Sequence, residues 1–122
     1  MDAVRTRVLL IGYGNPGRLD DGLGQALAGA IEKLQMPDVT VETAYQLSVE
    51  DAASVAEHDV VVFADADTAG EEPFGFRRIE PVRAESFSSH SVQPRALLGL
   101  AEDLFGRRVE GYLLGIRGYE FN

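Results

Sequence analysis

With 122 residues, 45% of them hydrophobic, the chain has room for one domain of ordinary globular composition over residues 1–122, and not for two. Its 20 acidic and 11 basic residues leave a net charge of −9, which phosphate backbones repel, so nucleic acid is not an expected partner. The absence of cysteine excludes disulfides and thiolate ligands, and no apolar run approaches the roughly 20 residues of a membrane helix, so the expected location is the cytoplasm.

The first element is Arg7–Gly12, an apolar run ending in glycine, as a buried parallel strand does. It meets a turn rich in Gly and Pro, not the cleavage site of a signal peptide. Gly22–Leu34 carries Leu23, Ala26, Leu27, Ala30, Ile31 and Leu34 at helical spacing, with Asp20 or Asp21 able to cap its start. Pro37 and Asp38 mark a turn, and Val39–Ala44 alternates as a second strand. A short helix is expected from Ser48, as N-cap, to about Glu57. Asp59–Ala66 is the most apolar strand and the expected centre of the sheet. Phe74–Val82 alternates and ends near Pro81, which suits an edge strand. Gln93–Phe105 reads as a helix with Pro94 in its first turn and Gly106 as its stop, and Glu110–Ile116 as a last strand.

This order predicts an α/β fold: a three-layer sandwich of the phosphorylase/hydrolase-like kind, with a mostly parallel central sheet and helices on both faces. Such a sheet would take another helix after its last strand, where the chain stops at Gly118–Asn122, so the domain is expected to be truncated at its C-terminus.

Parallel strands bring their carboxyl ends to one edge, where open α/β sheets place their sites. Three side chains with chemistry fall at such ends. Asp21 follows the first strand, Asp65 ends the third, and His90 stands in a serine-rich loop before the last helix. Two carboxylates and an imidazole form a ligand set for a divalent metal with positions left open. For Asp20 and Asp21 the competing role is helix capping. One carboxylate suffices for a cap, so Asp20 is the structural candidate, and Asp21 stands open between cap and cleft. Asp65 follows three valines and a phenylalanine, where a carboxylate is costly unless bonded, paired or metal-bound. Of the two histidines, His58 beside Glu57 and Asp59 reads as solvated surface at a helix end. The fingerprint G-x-G-x-x-G is literally present at Gly12, Gly14 and Gly17. The two carboxylates that follow would repel a pyrophosphate, so a dinucleotide is not expected. No pattern marks a covalent nucleophile.

Taken together, Gly12-x-Gly-Asn-x-x-x-x-Asp-Asp-Gly-x-Gly24, the strand end Ala64-Asp65-Ala66, Ser89-His90 before a leucine-rich helix, and Gly111-Tyr-Leu-Leu-Gly-Ile-Arg117 resemble the hydrogenase maturation endopeptidases over nearly the whole chain. The resemblance implies a peptidase that removes a C-terminal extension from the large-subunit precursor of a nickel–iron hydrogenase after nickel insertion. It implies Asp21, Asp65 and His90 as both the catalytic and the metal residues. Nickel, that of the substrate, is the implied metal, with other divalent ions as substitutes in vitro. The first of the three positions is often Glu in that family, so Asp21 has a shorter reach, and the family continues into a further C-terminal helix. A non-catalytic module that binds the metal-loaded large subunit would use the same three residues. Peptidyl-tRNA hydrolases share the opening Gly-x-Gly-Asn-Pro-Gly, but no histidine follows before His58, and the charge opposes tRNA.

Overall fold

A computed structural model describes residues 5–83 and 92–121 of the chain. Its strands are β1 (Val8–Tyr13), β2 (Val39–Ala44), β3 (Val60–Asp67), β4 (Phe74–Ile79) and β5 (Glu110–Arg117). Its helices are α1 (Leu23–Lys33), α2 (Asp51–Ala56) and α3 (Pro94–Phe105), and a 3-10 turn, Leu19–Gly22, precedes α1. The sheet order is β2–β1–β3–β5–β4. The pairings β1–β2, β1–β3 and β3–β5 are parallel, and β4 joins the edge antiparallel to β5. As expected, the apolar third strand is central and the Phe74 strand is an edge.

Alternation along the strands sorts side chains into two layers. Leu9 and Ile11 of β1 and Val61 and Phe63 of β3 point to one face and meet α2 and α3 through Val55, Leu97 and Leu98, all buried. Leu10, Val62 and Ala64 point to the other face and meet α1 through Leu27, Ala28 and Ile31. The result is helix, sheet, helix. Helix α3 starts on Pro94 and ends on Gly106 at φ 67, the left-handed C-cap expected of that glycine. On the α1 face, Phe74, Leu114 and Ile116 of the β4–β5 half line an apolar groove of about 530 Å³ with Leu23, Ala26 and Leu27. No described helix is long and apolar enough to cross a membrane.

Three local expectations are corrected. Ser48 does not cap α2. The helix starts at Asp51, whose carboxylate accepts the Ser48 N–H at 2.9 Å while Ser48 O accepts the Asp51 N–H, so the bond runs from the later residue back to the earlier backbone. Neither Asp20 nor Asp21 caps α1, since no side-chain cap bond is made at Arg18 or at Gly22. Both carboxylates are engaged elsewhere. His58 is not solvated. It is 7% exposed, its Nδ1 lies 2.7 Å from Ser54 O, and its own carbonyl accepts from Arg107 Nη2 at 3.0 Å. Arg107, in the segment before β5, thus reaches the chain just after α2.

Candidate functional site

The carboxyl ends of β1 and β3 lie side by side, with Gly12 paired to Ala64. The 3-10 turn passes over them. Gly14 follows β1 at φ 133, a backbone region that L side chains rarely enter, and a Cβ there would lie 2.1 Å from the Asp21 carbonyl. The chain after β1 therefore touches the turn directly. Asp21 Oδ2 accepts the Asn15 N–H at 2.9 Å, and Asn15 Oδ1 accepts the Gly17 N–H at 2.8 Å. Two linked side-chain-to-backbone bonds thus hold the loop and the aspartate in one arrangement. Leu19, beside the acidic pair, has φ 53, a left-handed conformation costly for a bulky residue, so local preference alone does not shape this turn.

Asp65 stands near the end of β3, on the face covered by α2 and α3. Its Oδ1 accepts the Ala66 N–H at 2.8 Å. Burial pushes its carboxyl from the ordinary 3.8 up to about 6, and the nearby charges of Asp21 and Asp67 push the same way. The Ala66 N–H, which donates to it, and the nearby Tyr13 hydroxyl resist the shift. Tyr13 ends β1 on the same face, its ring packed against the α2–α3 core. Its phenol is held well above the ordinary tyrosine range, first by burial and then by the Asp65 charge and hydrogen bond, so it stays a donor.

Asp21 and Asp67 thus lie near enough to Asp65, at the carboxyl edge of the sheet, for their charges to act on it. The third candidate, His90, lies outside the described residues. The chain is described again from Val92, which is buried in the core that Tyr13 packs against. Among the described residues no group of three or more His, Cys, Asp or Glu side chains is placed to hold a metal ion. The described side chains of the cluster are acidic and half-buried, a setting that disfavours an anion.

Asp20 does the structural work expected of it, by an unexpected route. Its Oδ2 accepts the backbone N–H groups of Tyr119 at 2.7 Å and Glu120 at 3.0 Å, and its own N–H donates to Glu120 O at 2.8 Å. These bonds tie the segment after β5 to the turn that carries Asp21. Both N–H bonds hold the Asp20 carboxyl below its ordinary value. Replacing Asp20 by Ala is expected to speed amide hydrogen exchange at Tyr119 and Glu120 while leaving β3 and β5 protected. Unchanged exchange at both amides would show that the clamp is not formed in solution.

Sequence reading passes over Tyr13, which occupies the unspecified position of Gly-x-Gly. The signal was available in its parity. It falls in step with Leu9 and Ile11, and so on the same face as Asp65.

No family profile matches the chain. A protein of Methanocaldococcus jannaschii assigned as a hydrogenase maturation protease is 27% identical over 93% of this chain and 77% of its own length. Among solved structures, the nickel–iron hydrogenase maturation protease HycI of Thermococcus kodakarensis superposes with a TM-score of 0.71 at 26% identity, covering 96% of this chain and 77% of that one. HybD of the same organism, also a maturation protease, gives 0.64 at 26% identity over 95% of this chain and 82% of that one. Sequence likeness and fold likeness agree: the chain is similar to hydrogenase maturation proteases in both.

Proposed function

We propose that this chain is an endopeptidase that removes the C-terminal extension of a nickel–iron hydrogenase large-subunit precursor once nickel has been inserted. The substrate's own nickel would dock between Asp21, Asp65 and His90. The observation that carries this reading is the meeting of Asp21 and Asp65 at the carboxyl edge of the sheet, with no described basic side chain bonded to either. Asp65 resists ionisation because it is half-buried and faces like charges, and a docked cation offsets both effects. Asp21 is aimed by the Asn15 N–H, and its second oxygen is not used in that bond.

The substrate's nickel would act first as a mark of readiness, because an empty precursor offers the acidic cleft nothing to hold. Near the scissile bond it would also polarise a carbonyl or acidify a water. The chain's own part would be to present the Asp21 and Asp65 carboxylates, with His90 supplying an imidazole. Both residue types suit nickel without selecting it over other divalent ions. The partner is the large-subunit precursor, and the setting is the cytoplasm.

The test is incubation of the purified protein with nickel-loaded precursor, followed by intact mass. A mass loss at the precursor's C-terminus, absent with empty precursor and with Asp21→Asn, is the expected result. Stable association without any cleavage would overturn the reading in favour of a binding module.

A pH dependence follows. Asp65 must lose its proton to ligate, and that proton leaves near 6. Ligation should therefore strengthen as pH rises through that value. At pH 5.5 about a quarter of the carboxyl is ionised and at pH 7.5 nearly all of it, so nickel affinity should rise about fourfold from Asp65 alone. Calorimetric titration at the two pH values measures the ratio, and equal affinities would remove Asp65 from the ligand set.

A further inference from the structure

We propose that Gln25 is a positioning residue, which aims the Asp21 carboxylate by gripping the peptide group between Gly14 and Asn15. Asp21 Oδ2 accepts the Asn15 N–H at 2.9 Å, and that N–H belongs to the same peptide group as the Gly14 carbonyl. This peptide group is trans and planar, with its N–H and C=O on opposite sides, so whatever holds one fixes the direction of the other. Gln25 holds the carbonyl. Its Nε2 donates to Gly14 O at 2.8 Å and to Ala44 O at 3.0 Å. Two carbonyl acceptors decide which end of the side-chain amide faces them, since only its NH2 group donates. Ala44 O also accepts the Gly14 N–H at 3.0 Å, so the end of β2 anchors the amide and the loop together. A clamp is needed there. Gly14 sits at φ 133 and has no side chain to restrict rotation, so the peptide group after it would otherwise turn its N–H away from Asp21 at little cost. Gly14 is also buried, where a carbonyl without a donor is costly. Gln25 lies in the first turn of α1, and Asp21 lies in the 3-10 turn that leads into that helix. The clamp therefore runs from the helix back to the loop before it. The glycine-rich motif ends at Gly24, so the resemblance assigns nothing to the residue that follows.

The consequence for nickel rests on the reading of Asp21 as a ligand, and the experiment separates the two claims. Gln25→Met keeps the length and the helix propensity and removes both donors. In metal-free protein at pH 7, the Asn15 amide should exchange about 10-fold faster in Gln25→Met, while amides in the middle of α1 and β3 keep their protection. Unchanged exchange at Asn15 overturns the inference whatever the site does. With nickel(II) as probe, Gln25→Met should bind about 10-fold more weakly than the unaltered protein, as removal of a group that orients a metal ligand does. Equal affinity, where Asp21→Asn does lose binding, also overturns it. If Asp21→Asn binds nickel as well as the unaltered protein does, the ligand reading of Asp21 fails. Faster exchange at Asn15 would then still support Gln25 as the group that aims Asp21. Should Gln25→Met not fold, the unaltered protein decides. Both side-chain amide protons of Gln25 should exchange about 10-fold more slowly than those of the exposed Gln35, and equal rates overturn the inference.

Discussion

Replacing Asp65 by Asn should abolish cleavage of the nickel-loaded precursor and, at neutral pH, make the protein more stable. Asn keeps the shape and accepts from the Ala66 N–H. It removes the charge. A ligand to the substrate's metal contributes several kcal/mol to a reaction that uses the metal as Lewis acid, so activity should fall by more than about 100-fold. The stability change has the opposite sign. The folded Asp65 carboxyl titrates at about 6 against an ordinary 3.8, so the folded state holds its proton more tightly than the unfolded chain does. Below the ordinary value both states are protonated and nothing is lost. Between roughly 4 and 6 the unfolded state releases its proton while the folded state keeps it, so folding weakens as pH rises. Above 6 the full cost is present. Undiscounted, the shift corresponds to about 3 kcal/mol. Solvent screening of a half-buried group reduces this to about 1–2 kcal/mol. Asp65→Asn should therefore melt several degrees higher than the unaltered protein at pH 7 and at nearly the same temperature at pH 3.5. Thermal unfolding at the two pH values checks it. A variant no more stable at pH 7 would mean that Asp65 is not strained by burial, and the case for a missing cation would go with it.

The prospect of a gain in stability on removing a candidate catalytic group fits how the edge is built. Asp21, Asp65 and Asp67 crowd together because parallel strands and their following turns end there, not because they attract one another. That much is legible in the sequence. Apolar runs ending in Gly12 and in Asp65, separated by helical patterns, place both ends on one edge by topology alone. The two carboxylates after the literal dinucleotide fingerprint lie in a 3-10 turn between β1 and the start of α1. What was not legible depends on distant partners. The Asp20 carboxylate bonds the backbone of Tyr119 and Glu120, about a hundred residues away, so local preference could offer only a cap. His58 is buried, and its carbonyl is bonded by Arg107, 49 residues on, whereas its immediate neighbours Glu57 and Asp59 suggest solvent. Tyr13 comes beside Asp65 only through the β1–β3 register.

Substituting Ala for Gly12 should be strongly destabilising, because the helix–sheet seam leaves no room for the methyl. A Cβ at Gly12 would lie 2.2 Å from the Gly24 carbonyl oxygen and 2.6 Å from Ala28 Cβ. The first of these is backbone, so relief requires α1 to move off the sheet. Gly24 makes the reciprocal contact. A Cβ there would lie 2.4 Å from Ala64 O and 2.6 Å from Tyr13 O. The two glycines let α1 approach the β1–β3 seam closely, and the turn carrying Asp21 leads directly into that helix. Overpacking a well-filled core costs about 1–3 kcal/mol, and a backbone obstruction puts Gly12→Ala at or above the top of that range. The same methyl at Gly29 provides the control. No heavy atom lies within 4 Å of a Cβ at that position, which is in the interior of α1. Gly29→Ala should stabilise by about 0.5–1 kcal/mol, through helix propensity and a less free unfolded chain. Urea unfolding of the two variants beside the unaltered protein tests the pair. Because displacement of α1 also displaces Asp21, Gly12→Ala should lose nickel affinity even where it remains folded, while Gly29→Ala should retain it. Equal tolerance of alanine at both positions would mean that α1 does not sit on the sheet as closely as the site geometry requires.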